Sequence, residues 1–110
     1  MIFDRFDVVV VPFPFVDRAA AKRRPALVLS AGAFQSATGN VVLAMITSSR
    51  RNDWPGDTLI SDLSSAGLSK ACRVRCKLFT LDARLILHRA GQLGDADQTA
   101  VTAGLAEILA

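Results

Sequence analysis

The sequence has no tyrosine, one histidine, one tryptophan and two cysteines. A single histidine with two cysteines is a poor set for a metal centre, which wants several ligands close together. If the segment holding Cys72 and Cys76 is a strand, about 3.3 Å per residue puts their Cα atoms roughly 13 Å apart. A disulfide needs less than about 7 Å, so two buried free thiols are expected. No Gly-rich phosphate loop, paired-carboxylate site or G-x-S-x-G elbow is present, and neither cysteine has an obvious histidine partner. These absences argue against nucleotide-dependent enzymes and triad hydrolases. No cofactor and no metal is expected, and any active site must rest on positive charge, hydroxyls and backbone groups. No apolar run reaches the roughly 18 residues that would span a bilayer, and no secretory signal opens the chain. A soluble, cytoplasmic protein without membrane contact is expected.

What is present is a chain of 110 residues, 51% hydrophobic and 21% charged, consistent with a single domain over residues 1–110. The net charge of +3 is matched by residues 17–24 alone, DRAAAKRR, so the rest of the chain sums to zero. A basic stretch so concentrated is a footprint for an anion, phosphate above all.

The Val- and Phe-rich run Asp7 to Phe15 has strand composition, but Pro12 and Pro14 cannot donate to a ladder, so an edge or a bulge is expected near Pro12. Further strands are expected at Pro25 to Ser30, Val41 to Thr47, Thr58 to Ile60, Cys72 to Leu78 and Leu85 to Leu93. One helical turn is expected around Phe34, and turns at Gly39-Asn40 and Ala66-Gly67. One clear helix closes the chain. Asp95 as N-cap with Gln98 resembles a capping box, Asp97 suits the helix dipole, and Val101, Leu105 and Ile108 form one apolar stripe. Short strands with a terminal helix predict a mainly β (α+β) chain folded as a small bent barrel, of unknown strand order.

Two places combine charge and hydroxyls. Arg23-Arg24-Pro25 brings a basic loop into a strand, and Pro25 favours an extended backbone at Arg24. Thr47-Ser48-Ser49-Arg50 ends a strand in hydroxyls, with Trp54 in the loop beyond. Taken alone, Thr47 is an ordinary strand residue and the two serines an ordinary turn.

The runs DVVVVPFPFVD, KRRPALVLS, GNVVLAMITSS and VRCKLFTLD resemble, in order and spacing, the MazF/PemK/Kid family of toxins from type II toxin–antitoxin systems. The resemblance covers about residues 6 to 109. It implies an SH3-like barrel with a C-terminal helix, assembled as a homodimer. It implies an endoribonuclease that cleaves single-stranded RNA at specific sequences without a metal, leaving 2′,3′-cyclic phosphate and 5′-hydroxyl ends and inhibiting growth. It also implies a cognate antitoxin with an acidic disordered C-terminal tail, and contact with DNA only through that antitoxin. The family's catalytic arginine and threonine fall on Arg24 and Thr47. Lys22, Arg23, Ser48, Ser49, Arg50, Trp54 and Lys77 are candidate RNA contacts; Trp54 either stacks on a base or packs its loop. Arginine is a poor base in water. His88 has a suitable pKa but matches no motif of the family, so a structural role is expected for it, and the general base stays open. Phe6 stands where many relatives have glycine, a change expected to alter a turn. Cys76-Lys77 stands where relatives often have an acidic residue and glutamine, so no base preference carries over. A gyrase poison of the CcdB kind, or a catalytically silent binding barrel, are the alternatives.

Overall fold

The computed structural model describes residues 1–13, 22–50 and 52–110. Within them, β1 (Asp7–Phe13), β2 (Lys22–Val28), β3 (Asn40–Ser48), β4 (Thr58–Leu59), β5 (Cys72–Asp82) and β6 (His88–Gln92) form one sheet. Its order is β4-β5-β3-β2-β1-β6 and its pairings are antiparallel. Short helices α1 (Gly32–Thr38) and α2 (Leu63–Ala66) lie between strands, and α3 (Asp95–Leu109) ends the chain. The sheet curls, with register shifts at Val8/Val9 and Ala44/Met45; such bulges bend and twist strands. The expected small barrel with a terminal helix is the architecture found.

Both faces of the sheet are apolar. Val9, Val11, Ala26, Val28, Leu43 and Leu81 pack with Phe3 and Ile86 on one side. Val8, Leu27, Ala44, Ile46 and Val74 pack with Leu93 and Val101 on the other. Hence β1 and β3 read as continuous apolar runs rather than alternating ones. Leu43 is fully buried, so cutting it to alanine costs about 2–5 kcal/mol.

Each proline in the paired strands stands beside a ladder that has ended. Pro12 pairs with Arg23, but β6 leaves β1 at Val10↔His88. Pro25 pairs with Val10, whereas β3 joins β2 only from Ala26↔Met45. A residue without an N–H is tolerated at such an edge. Pro14 and Phe15 of the expected first strand, and Asp17 and Arg18 of the basic stretch, lie outside the described residues.

Several boundaries differ from expectation. The second strand begins earlier, at Lys22, because Lys22 to Arg24 pair with β1. The fifth runs on to Asp82 because Phe79 to Asp82 pair with Asn40 to Leu43. Ala83–Leu85 is a 3-10 turn capped by the Asp82 side chain, so β6 starts only at His88. Gly39 ends α1 in left-handed backbone, φ 74°, donating its N–H to the Gln35 carbonyl. The Ala66-Gly67 turn is the end of α2, whose N-cap Asp62 accepts from the Ser65 N–H. Phe6 holds φ 74°, the conformation glycine adopts without strain, and the turn survives with the Asp7 N–H bonded to the Asp4 carbonyl.

The N-cap of α3 is Gly94, not Asp95. Gln98 donates its N–H to the Gly94 carbonyl and its side-chain amide to the Leu93 carbonyl, instead of closing a capping box. Asp97 does more than suit the dipole. It is buried and accepts from the Ser61 N–H, the Ser61 hydroxyl and the Asp62 N–H at 2.7–3.1 Å, stapling α3 to the end of β4. Val101 and Leu105 dock on the core as expected, while Ile108 is 41% exposed and lies against Gly56. None of the helices described is long and apolar enough to cross a membrane.

Candidate active site

The β2–β3 pairing sets Ala26 opposite Met45 and Val28 opposite Leu43. Continued two residues past the point where Pro25 ends the ladder, that register faces Arg24 with Thr47. Directly opposed residues of antiparallel strands point to the same side. The apolar face built on Ala26 and Leu43 therefore gives way, at the strand ends, to a guanidinium and a hydroxyl. Arg24 is exposed and Thr47 half-buried. Neither side chain has a hydrogen-bond or ion-pair partner among the described residues.

Both line one concavity of about 1090 Å³. Of the residues expected at the site, Arg23, Arg24, Thr47, Ser48, Ser49, Arg50, Trp54 and Lys77 all border it. Lys22 does not; it is exposed on β2, paired with Phe13. The described lining includes the basic residues Arg23, Arg24, Arg50, Lys70, Arg75 and Lys77 and no carboxylate. A groove lined by one sign of charge raises the local concentration of the opposite ion.

Lys77 reaches the groove through a fault in the sheet. Met45 pairs with Arg75 and Ala44 with Leu78, so Cys76 and Lys77 have no partners on β3. A bulge of this kind re-aims side chains near sites.

The loop between β3 and β4 is clamped from beneath. Arg75 is buried and grips Asp57 with two bonds, Nε to Oδ1 at 3.2 Å and Nη2 to Oδ2 at 2.8 Å. It also donates to the Asn52 carbonyl. Arg73 donates to the Ser49 carbonyl at 2.7 Å and pairs with Asp53 and Asp57. The Trp54 N–H donates to Asp57 Oδ2 at 2.9 Å. Burial pushes the Asp57 carboxyl up, but the bonds from Arg75 and the Trp54 N–H outweigh it and hold the group below its ordinary value. The Trp54 ring lies on the Arg75 guanidinium, 4.5 Å from its carbon to the ring centroid, and remains 44% exposed. Trp54 thus packs its loop and borders the groove at once.

Lys70 and Arg75 were not foreseen. Arg73 and Arg75, two apart in a strand, signal a shared charged face, but nothing in the local sequence marks Lys70. The two cysteines are free and half-buried rather than fully buried. Burial pushes both thiols up, with Asp57 and Glu107 adding to the shift at Cys76, so both stay protonated at neutral pH. His88 is exposed on the edge strand β6 and borders a different concavity, with Met1 and Arg89. Among the described residues no three His, Cys, Asp or Glu side chains gather where they could hold a metal ion.

Comparison with solved structures returns this architecture. The MazE–MazF complex from Deinococcus radiodurans (Form III) is 25% identical, with a TM-score of 0.76 over 99% of this chain and 97% of that one. An endoribonuclease in complex with its cognate antitoxin, from a mycobacterial species, is 20% identical, with a TM-score of 0.76 over 94% and 91%. MazF from Deinococcus radiodurans alone is 23% identical, with a TM-score of 0.75 over 99% and 97%. No curated protein matches the sequence significantly. The family model for the PemK-like, MazF-like toxins of type II toxin–antitoxin systems matches residues 4–109. With nearly its whole length matched, the chain belongs to that family of toxins.

Proposed function

We propose that the chain is a metal-independent endoribonuclease that cleaves single-stranded RNA at specific sequences and so arrests growth. The observation that carries this is that Arg24 and Thr47, both unpartnered among the described residues, line one groove whose described charged groups are all cationic. The ribose 2′-oxygen attacks the adjacent phosphorus. The O2′–P bond forms and the P–O5′ bond breaks. The 2′ proton is lost and the leaving 5′ oxygen gains one. The products are a 2′,3′-cyclic phosphate and a 5′-hydroxyl. Negative charge gathers on the phosphoryl oxygens in the transition state. The Arg24 guanidinium meets two of them with parallel bonds, and the Thr47 hydroxyl donates a third. Arg23, Arg50 and Lys77 hold flanking phosphates, Ser48 and Ser49 offer hydroxyls at the strand end, and Lys22 lies outside the groove. His88, on β6, takes no part.

The full chain acts as one domain and as a homodimer in the cytoplasm. Its partner is an antitoxin whose acidic tail matches the charge of the groove; the likeness to toxins solved with their antitoxins supports that partnership. The test is incubation of the purified protein with long single-stranded RNAs in EDTA, beside Arg24→Ala. Discrete fragments with cyclic-phosphate ends from the parent alone are expected. Fragments from both proteins place the chemistry elsewhere, and no cleavage by either overturns the reading.

A further inference from the structure

The mechanism above makes no use of the buried Arg75–Asp57 pair or of the ring stacked on it. An arginine buried only to neutralise Asp57 has no need to border the groove, yet Arg75 does so. Its guanidinium lies under the only tryptophan of the chain. Its two bonds to Asp57 fix the plane of the fork, and the same Asp57 oxygen that accepts from Arg75 also accepts from the Trp54 N–H. Ring and guanidinium are thereby referred to one carboxylate. One face of the indole is occupied by the cation, and 44% of the residue remains exposed beside the groove.

We infer that Trp54 is a platform for one unpaired nucleobase of the RNA, and that Arg75 and Asp57 are positioning residues that set its plane. This rests on the ribonuclease reading and extends it. It assigns a base-binding subsite to a groove whose other groups address phosphate. With its lower face filled, the ring accepts one base rather than intercalating between two. A flat aromatic surface takes any base by stacking, so the subsite selects an unstacked, single-stranded nucleotide before it selects its identity. An ordered platform also spares the bound state the cost of fixing a mobile side chain.

Because Trp54 is the sole tryptophan, its emission reports on this subsite alone. A mixed-sequence 2′-O-methyl RNA decamer lacks the attacking hydroxyl and serves as uncleaved probe, with inorganic polyphosphate as a polyanion without bases. The decamer is expected to quench the emission and polyphosphate at equal phosphate concentration to leave it. In Arg75→Lys, which keeps the charge but loses the fork, quenching falls while the decamer still binds by anisotropy. Trp54→Leu, at a partly exposed position, tests the platform even where Arg75→Lys does not fold. It raises KM for RNA roughly tenfold and leaves kcat within about threefold, and Trp54→Phe recovers most of the loss. Equal quenching by polyphosphate overturns the inference, as does decamer binding without quenching while the parent still cleaves RNA; both leave the ribonuclease reading standing. A parent that neither binds nor cleaves overturns both.

Discussion

Thr47→Val separates the chemistry from the fold. Thr47 is half-buried on β3, opposite Arg73, and its hydroxyl has no partner among the described residues. Valine has the same shape, the same branching at Cβ and an equal liking for strands. The exchange removes no bond among the described residues, so stability should move by no more than about 0.5 kcal/mol. In the proposed reaction the same hydroxyl is one donor to developing negative charge. Removing one such donor costs roughly 3–4 kcal/mol, on the order of 10²–10³ in kcat. KM should hardly change, because the lost contact tightens only in the transition state. The assay pairs single-turnover cleavage of a short RNA with thermal unfolding, and Thr47→Ser should restore most of the rate. A Thr47→Val rate within about tenfold of the parent would refute the assignment. A loss of stability above about 2 kcal/mol would show that the hydroxyl serves the fold instead.

Other outcomes follow from groups away from the reacting atoms. Asp97→Ala leaves the donors at Ser61 and Asp62 unmet and should cost about 2–4 kcal/mol in denaturant unfolding. Burial raises the Asp97 carboxyl, but the bonds from Asp62 and Ser61 outweigh it and leave the group below its ordinary value. Its contribution is therefore full above the unfolded value of about 3.9 and fades as the pH falls through the lower folded value; acid titration of parent and Asp97→Asn should diverge only in that sense. Lys70→Ala, at the groove rim, should weaken RNA binding of every sequence and flatten the salt dependence by about 0.7 in log–log slope. At Gly104 an added Cβ would sit 2.5 Å from the Gly56 carbonyl oxygen, so Gly104→Ala should cost about 1–3 kcal/mol in thermal or denaturant unfolding.

The strands were legible because β-branched runs such as VVVV and VVLAMIT have few other uses, and the terminal helix because its stripe repeats. Arg24 and Thr47 stood out as candidates through motif and spacing, and the fold brings both to the lining of one groove. What escaped depends on distance along the chain. Lys70 and Arg75 belong to the groove only because β5 pairs with β3, a neighbour relation that no local pattern encodes. Asp97 finds its partners 35 and 36 residues away, so only its place in the first helical turn was visible. Gly94 took the cap from Asp95 because its carbonyl receives the first helical bond, a matter of one residue that composition does not resolve.

The fault at Cys76-Lys77 also bears on how such a sheet tolerates changes in length. Side chains alternate with a period of two, so one residue added or lost turns the remainder of a strand inside out. Two unpaired residues leave the phase intact: Arg75 still shares a side with Met45, and Leu81 still reaches the core opposite Val41. Variation of the groove wall is therefore quantised. Steps of two within β5 alter which groups border the groove while sparing the interior, whereas a single-residue step at the same place turns Leu81 away from Val41 to the side on which Thr80 is exposed. Divergence among sequences sharing this scaffold should run through even-numbered insertions and deletions at that point.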